Sequence, residues 1–294
     1  MIAERGQPNV APYVSALPHK AARLLEHFCR RGASVPVHTE PCTEDRLQQA
    51  AARGSHKSAK DDVEFVCEEM LEFCAQGLWT VLPLSVALCL PHLGLSPLCM
   101  VPQQNRRSWL IVDYSYSGVN NDTVQLSPHE AMQFGRALHR LMERIVYADP
   151  IYGPVLLGKI DIAADGFYRI GLRPHDVPRL GVILPTIIGK PLVALPLALP
   201  MGWVASPPQF TAVTETACDL LNATLRVSMT PSPHPLESLP ATPPPDAAHR
   251  SWTPRLARMG LPGTRLLQLA YGDVFVDDFL LAPKPSANNN GCFR

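Results

Sequence analysis

The stretch Val274-Phe275-Val276-Asp277-Asp278-Phe279-Leu280-Leu281 constrains the fold more than any other part of this chain. Two adjacent carboxylates interrupt a run of β-branched and aromatic residues, the composition of a strand that meets a core. An ionised carboxylate buried there without a partner costs several kcal/mol. Successive side chains of a strand point to opposite faces, so neighbouring aspartates share a partner only where the chain turns. A hairpin carrying the pair at its tip is therefore expected. Mg²⁺ suits such a pair, because it is held through one or two carboxylates and keeps water and phosphate in its other positions. Such a site draws a further carboxylate from elsewhere. The competing reading is a surface turn at which Asp-Asp merely ends a strand.

Hydrophobic residues make up 46% of the 294, enough to fill the core of one large domain or two. The 26 basic and 26 acidic residues balance, so no global field draws a nucleic acid or a membrane, and such a partner would be held by local charge. Thirty-one prolines, about twice the usual share, argue for extended connections and against an all-helical protein. The eight cysteines include no C-x-x-C, and residues 1–10 are polar and mixed in charge, unlike a secretory leader. Intracellular thiols are expected, with no basic address to choose between cytoplasm and nucleus. Residues 182–204 are apolar but contain Lys190, Pro185, Pro191, Pro196 and Pro200, so no membrane-spanning helix is expected.

In chain order, residues 20–31 have a helical spacing in Ala22, Leu24, Leu25 and Phe28, and 32–43 read as loop. The spacing of Val63, Val66, Met70, Leu71 and Cys74 predicts a helix over 61–77 with those residues as one buried stripe. Residues 79–90 and 95–102 are β-prone. A polar turn over 103–109 carries Arg106 and Arg107, either a phosphate grip or a solvated turn, and precedes a strand over 110–114. Ser127-Pro128-His129-Glu130 is a capping box that opens a helix to about Ala148, with Phe134, Leu138, Leu141 and Ile145 buried. Residues 155–162 read as a buried strand ending in the further carboxylate, Asp161, and 211–225 as a helix.

Five segments then stand in a telling order: I-V-D-Y-S (111–115), K-I-D-I (159–162), D-G-F-Y-R-I (165–170), L-P-M-G-W-V-A-S-P-P (199–208) and F-V-D-D (275–278). Together they resemble the successive blocks of retrotransposon reverse transcriptases, of the gypsy type of long-terminal-repeat element, over residues 54–283. The resemblance implies an α+β fold: a polymerase palm with fingers, the thumb absent. Residues 1–53 are then an N-terminal extension, 54–125 fingers-like, 126–283 palm with a proline-rich insertion at about 228–262, and 284–294 a disordered tail. It implies RNA-directed DNA polymerisation on an RNA or DNA template-primer with dNTP as substrate. Asp161, Asp277 and Asp278 would be the catalytic carboxylates, holding two Mg²⁺ ions, or Mn²⁺, for in-line nucleotidyl transfer to a primer 3′-hydroxyl. Asp165, Gly166, Phe167, Met201 and Gly202 would meet the nucleotide, with Phe167 the gate against a ribose 2′-hydroxyl. Arg106 and Arg107 resemble the basic fingertip, although the family's arginine falls where Trp109 stands, and Pro207 would shape the template-primer track.

Ala163-Ala164-Asp165 places three residues where the family has two, which turns later strand positions to the opposite face unless a bulge absorbs one. With the proline-rich insertion and no thumb to clamp a duplex, an alternative stays open: a catalytically silent remnant with at most nucleic-acid or protein binding. An unrelated Mg²⁺ phosphohydrolase accounts for the acids but not for the ordered blocks.

Overall fold

Strand-forming runs and their breakers divide the chain into two sheets. The computed structural model describes residues 14–39, 42–104, 106–124, 136–148, 150–162, 166–186, 189–227, 271–276 and 278–282. The capping box at 127–130 with Phe134, the Ala163-Ala164-Asp165 triplet, the segment 228–262 and the tail 284–294 lie outside them. The strands are β1 (Trp79–Pro83), β2 (Ser96–Gln103), β3 (Arg106–Val112), β4 (Gly158–Asp161), β5 (Val182–Ile183), β6 (Leu192–Pro196), β7 (Gly272–Phe275) and β8 (Asp278–Leu281). The longer helices are α1 (Ala22–Arg31), α2 (Glu44–Arg53), α3 (Val63–Ala75), α4 (Ala137–Val146) and α5 (Ser206–Val227). The protein is thus of mixed α+β class.

The first unit comprises Met1–Pro128 and Ala164–Ala212. Its five-stranded sheet has the order β1-β6-β5-β2-β3, antiparallel throughout except for β2 beside β5. Val182, Val193, Ala194 and Leu195 are buried in its middle, as expected of β-branched and aliphatic residues in a central strand. Tyr114 and Trp203 are also buried, and each directs its polar atom to a partner: the Tyr114 hydroxyl donates to Leu180 O at 3.1 Å and Trp203 Nε1 to Thr123 Oγ1 at 3.0 Å. Asp62 caps α3 by accepting from the Phe65 N–H, and Gly77, at φ +68°, follows its end.

The second unit comprises His129–Ala163 and Val213–Arg294. Its sheet has the order β4-β8-β7, fully antiparallel, with α4 against β7. Gly272 of β7 accepts α5 closely: a Cβ there would lie 2.9 Å from Leu221 Cδ2. As β7 is an edge strand, its outer backbone groups need partners. The Asn222 amide supplies them, donating to Gly272 O at 2.7 Å and accepting from its N–H at 3.0 Å.

Several expectations are corrected. Leu71 and Leu138 are 71% and 66% exposed, so the apolar stripes of α3 and α4 are narrower than their spacing suggests; Val66, Met70 and Leu141 are the buried members. Within 155–162 only Gly158–Asp161 is strand, and it is an exposed edge strand rather than a buried one: β8 pairs with it on one side, and Ile160 is 57% exposed. The β-prone run 79–90 ends as strand at Pro83, and a turn of helix, Leu84–Ala87, follows. The polar turn between β2 and β3 is tighter than 103–109, since Gln103 already pairs with Arg106. Helix α5 starts at Ser206, with prolines 207 and 208 in its first turn, where their missing N–H groups cost nothing. Among the described residues no helix is long and apolar enough to cross a membrane.

Candidate metal and nucleotide site

In the second unit, strand register puts the acids side by side. Phe275 pairs with Asp278, so Val276 and Asp277 alone connect β7 to β8, which is the hairpin expected around the Asp-Asp pair. Asp278 in turn pairs with Asp161 of β4. Directly paired residues project on one face, so Phe275, Asp278 and Asp161 form a row across the sheet. Asp277 lies outside the described residues. Val276 has φ +59°, a left-handed conformation that strains a β-branched residue by about 1–3 kcal/mol.

Lys159 stands two residues before Asp161 and therefore on the same face. Its ammonium lies 2.9 Å from Asp161 Oδ1 and 3.2 Å from Asp278 Oδ1. The side chains of Asp161 and Asp278 are 62% and 35% exposed. The hydrogen bond from Lys159, and then that with Asp278, holds the Asp161 carboxyl below the usual carboxylate range. The hydrogen bond with Asp161, and then burial, pushes Asp278 above it. Of the two, Asp278 therefore takes up a proton before Asp161, as interacting carboxyls do. Both carboxylates raise the Lys159 ammonium.

The adjacent acid of the same sheet is treated differently. Asp273 is 2% exposed and accepts from Arg140 twice, at 2.6 and 2.7 Å, and from the Tyr271 hydroxyl at 2.7 Å. The Val274 N–H donates to it as well, at 2.9 Å. The paired carboxylate raises Arg140, while burial and then donation to Asp273 raise Tyr271. Burial beside Asp273 pushes the Cys218 thiol up to about 12. Asp273 has no oxygen to offer a ligand, whereas Asp161 and Asp278 are accessible hard donors on one face, which fits a divalent cation. Among the described residues no group of three or more metal-ligating side chains forms.

The expected nucleotide contacts lie in the first unit. Gly202 turns the chain at φ +98°, and a Cβ there would lie 2.2 Å from Val112 O, so the position accepts glycine alone. Met201 beside it is 39% exposed. Asn120 fixes this turn: its amide donates to Gly202 O at 3.0 Å and accepts from the Val204 N–H at 2.9 Å. Gly166 and Phe167 open a 3₁₀ turn against Phe210, with the Phe167 and Phe210 rings edge to face at 5.2 Å. Pro207 is half-buried in the first turn of α5, and Asp165 lies outside the described residues. Arg106 and Arg107 belong to β3 rather than to a free fingertip. Arg107 is bound by Glu69 and, at 3.4 Å, by Glu72.

Sequence reasoning missed Lys159, Phe275 and Asn120 as parts of these sites. The period of two along β4 would have found Lys159, and the register of the hairpin Phe275. Asn120 had no such signal, because its partners are 82 and 84 residues away. No protein-family model matches the chain, and comparison with curated proteins gives no match.

Proposed function

We propose that this protein is an RNA-directed DNA polymerase built on a reverse-transcriptase-like palm with fingers, extending a primer from deoxynucleoside triphosphates. The observation that carries the proposal is the cross-strand pairing of Asp161 with Asp278 at a two-residue hairpin, both accessible on one face of a three-stranded sheet. Asp161 and Asp278, with Asp277 between β7 and β8, would hold Mg²⁺ or Mn²⁺. When bound, such a cation withdraws charge from phosphoryl oxygens and lowers the pKa of a hydroxyl ligand. In the transfer, the primer 3′-oxygen bonds to the α-phosphorus, its proton leaves, and the α–β phosphoanhydride breaks to release pyrophosphate. Within the first unit, the resemblance would assign Met201 and Gly202, in a turn that Asn120 fixes, to the nucleotide and Phe167 to its sugar.

Primer extension on a primed RNA template with Mg²⁺ or Mn²⁺ tests this. Incorporation is expected, and its loss on Asp161→Asn or on Asp277→Asn with Asp278→Asn. Incorporation surviving those changes would sink the assignment. A second reading, a silent remnant that at most binds nucleic acid or a partner, is favoured by the engagement of Arg107 with two glutamates, which neutralises the cation expected at the triphosphate. It predicts equal template-primer binding with and without Mg²⁺ and no incorporation under either metal.

A further inference from the structure

The order Lys159-Ile160-Asp161 on β4 puts a cation and an acid two residues apart on one face, since side chains alternate along a strand. Register decides what each meets. Asp161 pairs with Asp278 of β8, whereas Lys159 pairs with Leu280, which in turn pairs with Asp273 of β7. Leu280 offers the ammonium no side-chain acceptor, and the oxygens of Asp273 are engaged by Arg140, Tyr271 and the Val274 N–H. The long stem therefore carries the ammonium along the face to the next rung, 2.9 Å from Asp161 Oδ1 and 3.2 Å from Asp278 Oδ1. Diagonal reaches of this kind are within the span of a long side chain.

This chain thus supplies a cation to its own acidic pair. Lys159 engages Oδ1 of both carboxylates, so a divalent cation shared by the two acids competes with it for oxygens and repels it. The contact is built to exchange. The Lys159 side chain is 53% exposed on an edge strand, and ion pairs open to water are weak. Lysine is a compact charge on a flexible stem, with three donors and no fixed fork, so it changes partners more readily than arginine does.

We propose that Lys159 is an exchangeable counter-ion that couples cation binding to phosphate binding at this site. It holds the acidic pair until a divalent cation enters, and then turns its ammonium to the phosphate group of the nucleotide that accompanies the cation. The inference rests on the reading of Asp161 and Asp278 as the cation site. Mg²⁺ held by few carboxylates keeps phosphate and water in its other positions, so an anion arrives beside the displaced ammonium. Transfer from acid to phosphate replaces one anionic partner of Lys159 with another, whereas entry of the cation alone leaves the ammonium without one. By linkage, phosphate then favours the cation as much as the cation favours phosphate.

Two titrations of the full chain at neutral pH test this on the parent, Lys159→Met and Lys159→Arg. Mn²⁺ alone is followed by the electron paramagnetic resonance of the free ion, and dTTP at saturating Mn²⁺ by equilibrium dialysis, with deoxythymidine as the control that lacks phosphate. The side chain is half exposed, so both variants should fold and melt as the parent does. Lys159→Met should tighten Mn²⁺ about threefold and weaken dTTP about tenfold, opposite signs that a lysine merely holding two strands together would not give. Lys159→Arg keeps the charge and should hold dTTP within about threefold of the parent. Any binding of deoxythymidine should be the same in the parent and Lys159→Met. Unchanged Mn²⁺ affinity in Lys159→Met, a shift of both affinities in one direction, or no dTTP binding by a parent that takes up Mn²⁺ would overturn the proposal. Failure of the parent to take up Mn²⁺ would overturn it together with the cation site beneath it. The expected titrations without primer extension would sustain the coupling and sink the polymerase reading alone.

Discussion

Two carboxylate sites on one three-stranded sheet have opposite characters. Asp273 is buried, bidentate to Arg140 and bonded by Tyr271, so its oxygens are spent on holding β7 to α4. Asp161 and Asp278 share one rung, two removed from that of Asp273, accessible and with the Lys159 ammonium on both. Burial turns an acid into a structural fastener, and exposure in a row leaves it free for a cation. Breaking the first site should cost stability, and breaking the second should cost chemistry.

The largest effect is expected at the exposed acids. Asp161→Asn with Asp278→Asn should lower primer extension by about 10³-fold or more, since a bound cation contributes several kcal/mol of charge stabilisation. Its thermal melting should stay close to that of the parent. Arg140→Ala should do the reverse and destabilise by about 3–5 kcal/mol, because it strands a buried carboxylate. Urea unfolding measures this, and Arg140→Met with Asp273→Leu should recover most of the loss; a neutral Arg140→Ala would contradict the contrast.

Lys159→Met comes next. The exposed ammonium competes with a cation, so its removal should tighten Mn²⁺ binding a few-fold. It also removes the main cause of the low Asp161 pKa, so the acid limb of Mn²⁺ binding should move to higher pH. In the parent, affinity should fall as pH drops through the raised pKa of Asp278, which protonates before Asp161. The two shifts act on folding with opposite signs. Depressed Asp161 adds stability above its unfolded pKa, lost as pH falls through the folded one; raised Asp278 favours the fold at low pH. The pH dependence should therefore show in cation affinity rather than in melting. The smallest effect is Val276→Gly, which relieves a strained turn at the cost of chain entropy and should stabilise by no more than about 1 kcal/mol.

The hairpin at Asp277-Asp278 and the α+β class were legible because apolar alternation and turn chemistry are local. The Gly202 turn could be located but not explained, as its reason is the Val112 carbonyl across the unit. The exposure of β4 and the capture of Arg107 were not legible. An apolar run does not say how many of its sides will be covered, and an arginine near a turn does not reveal the glutamates of α3, more than thirty residues earlier.

The measurement closest to the central claim is an electron paramagnetic resonance titration of Mn²⁺ at neutral pH, on the parent and on Asp161→Asn with Asp278→Asn. Saturable depletion of the free Mn²⁺ signal by the parent and its loss in the variant are predicted. Equal depletion by both would show that these aspartates are not the cation site.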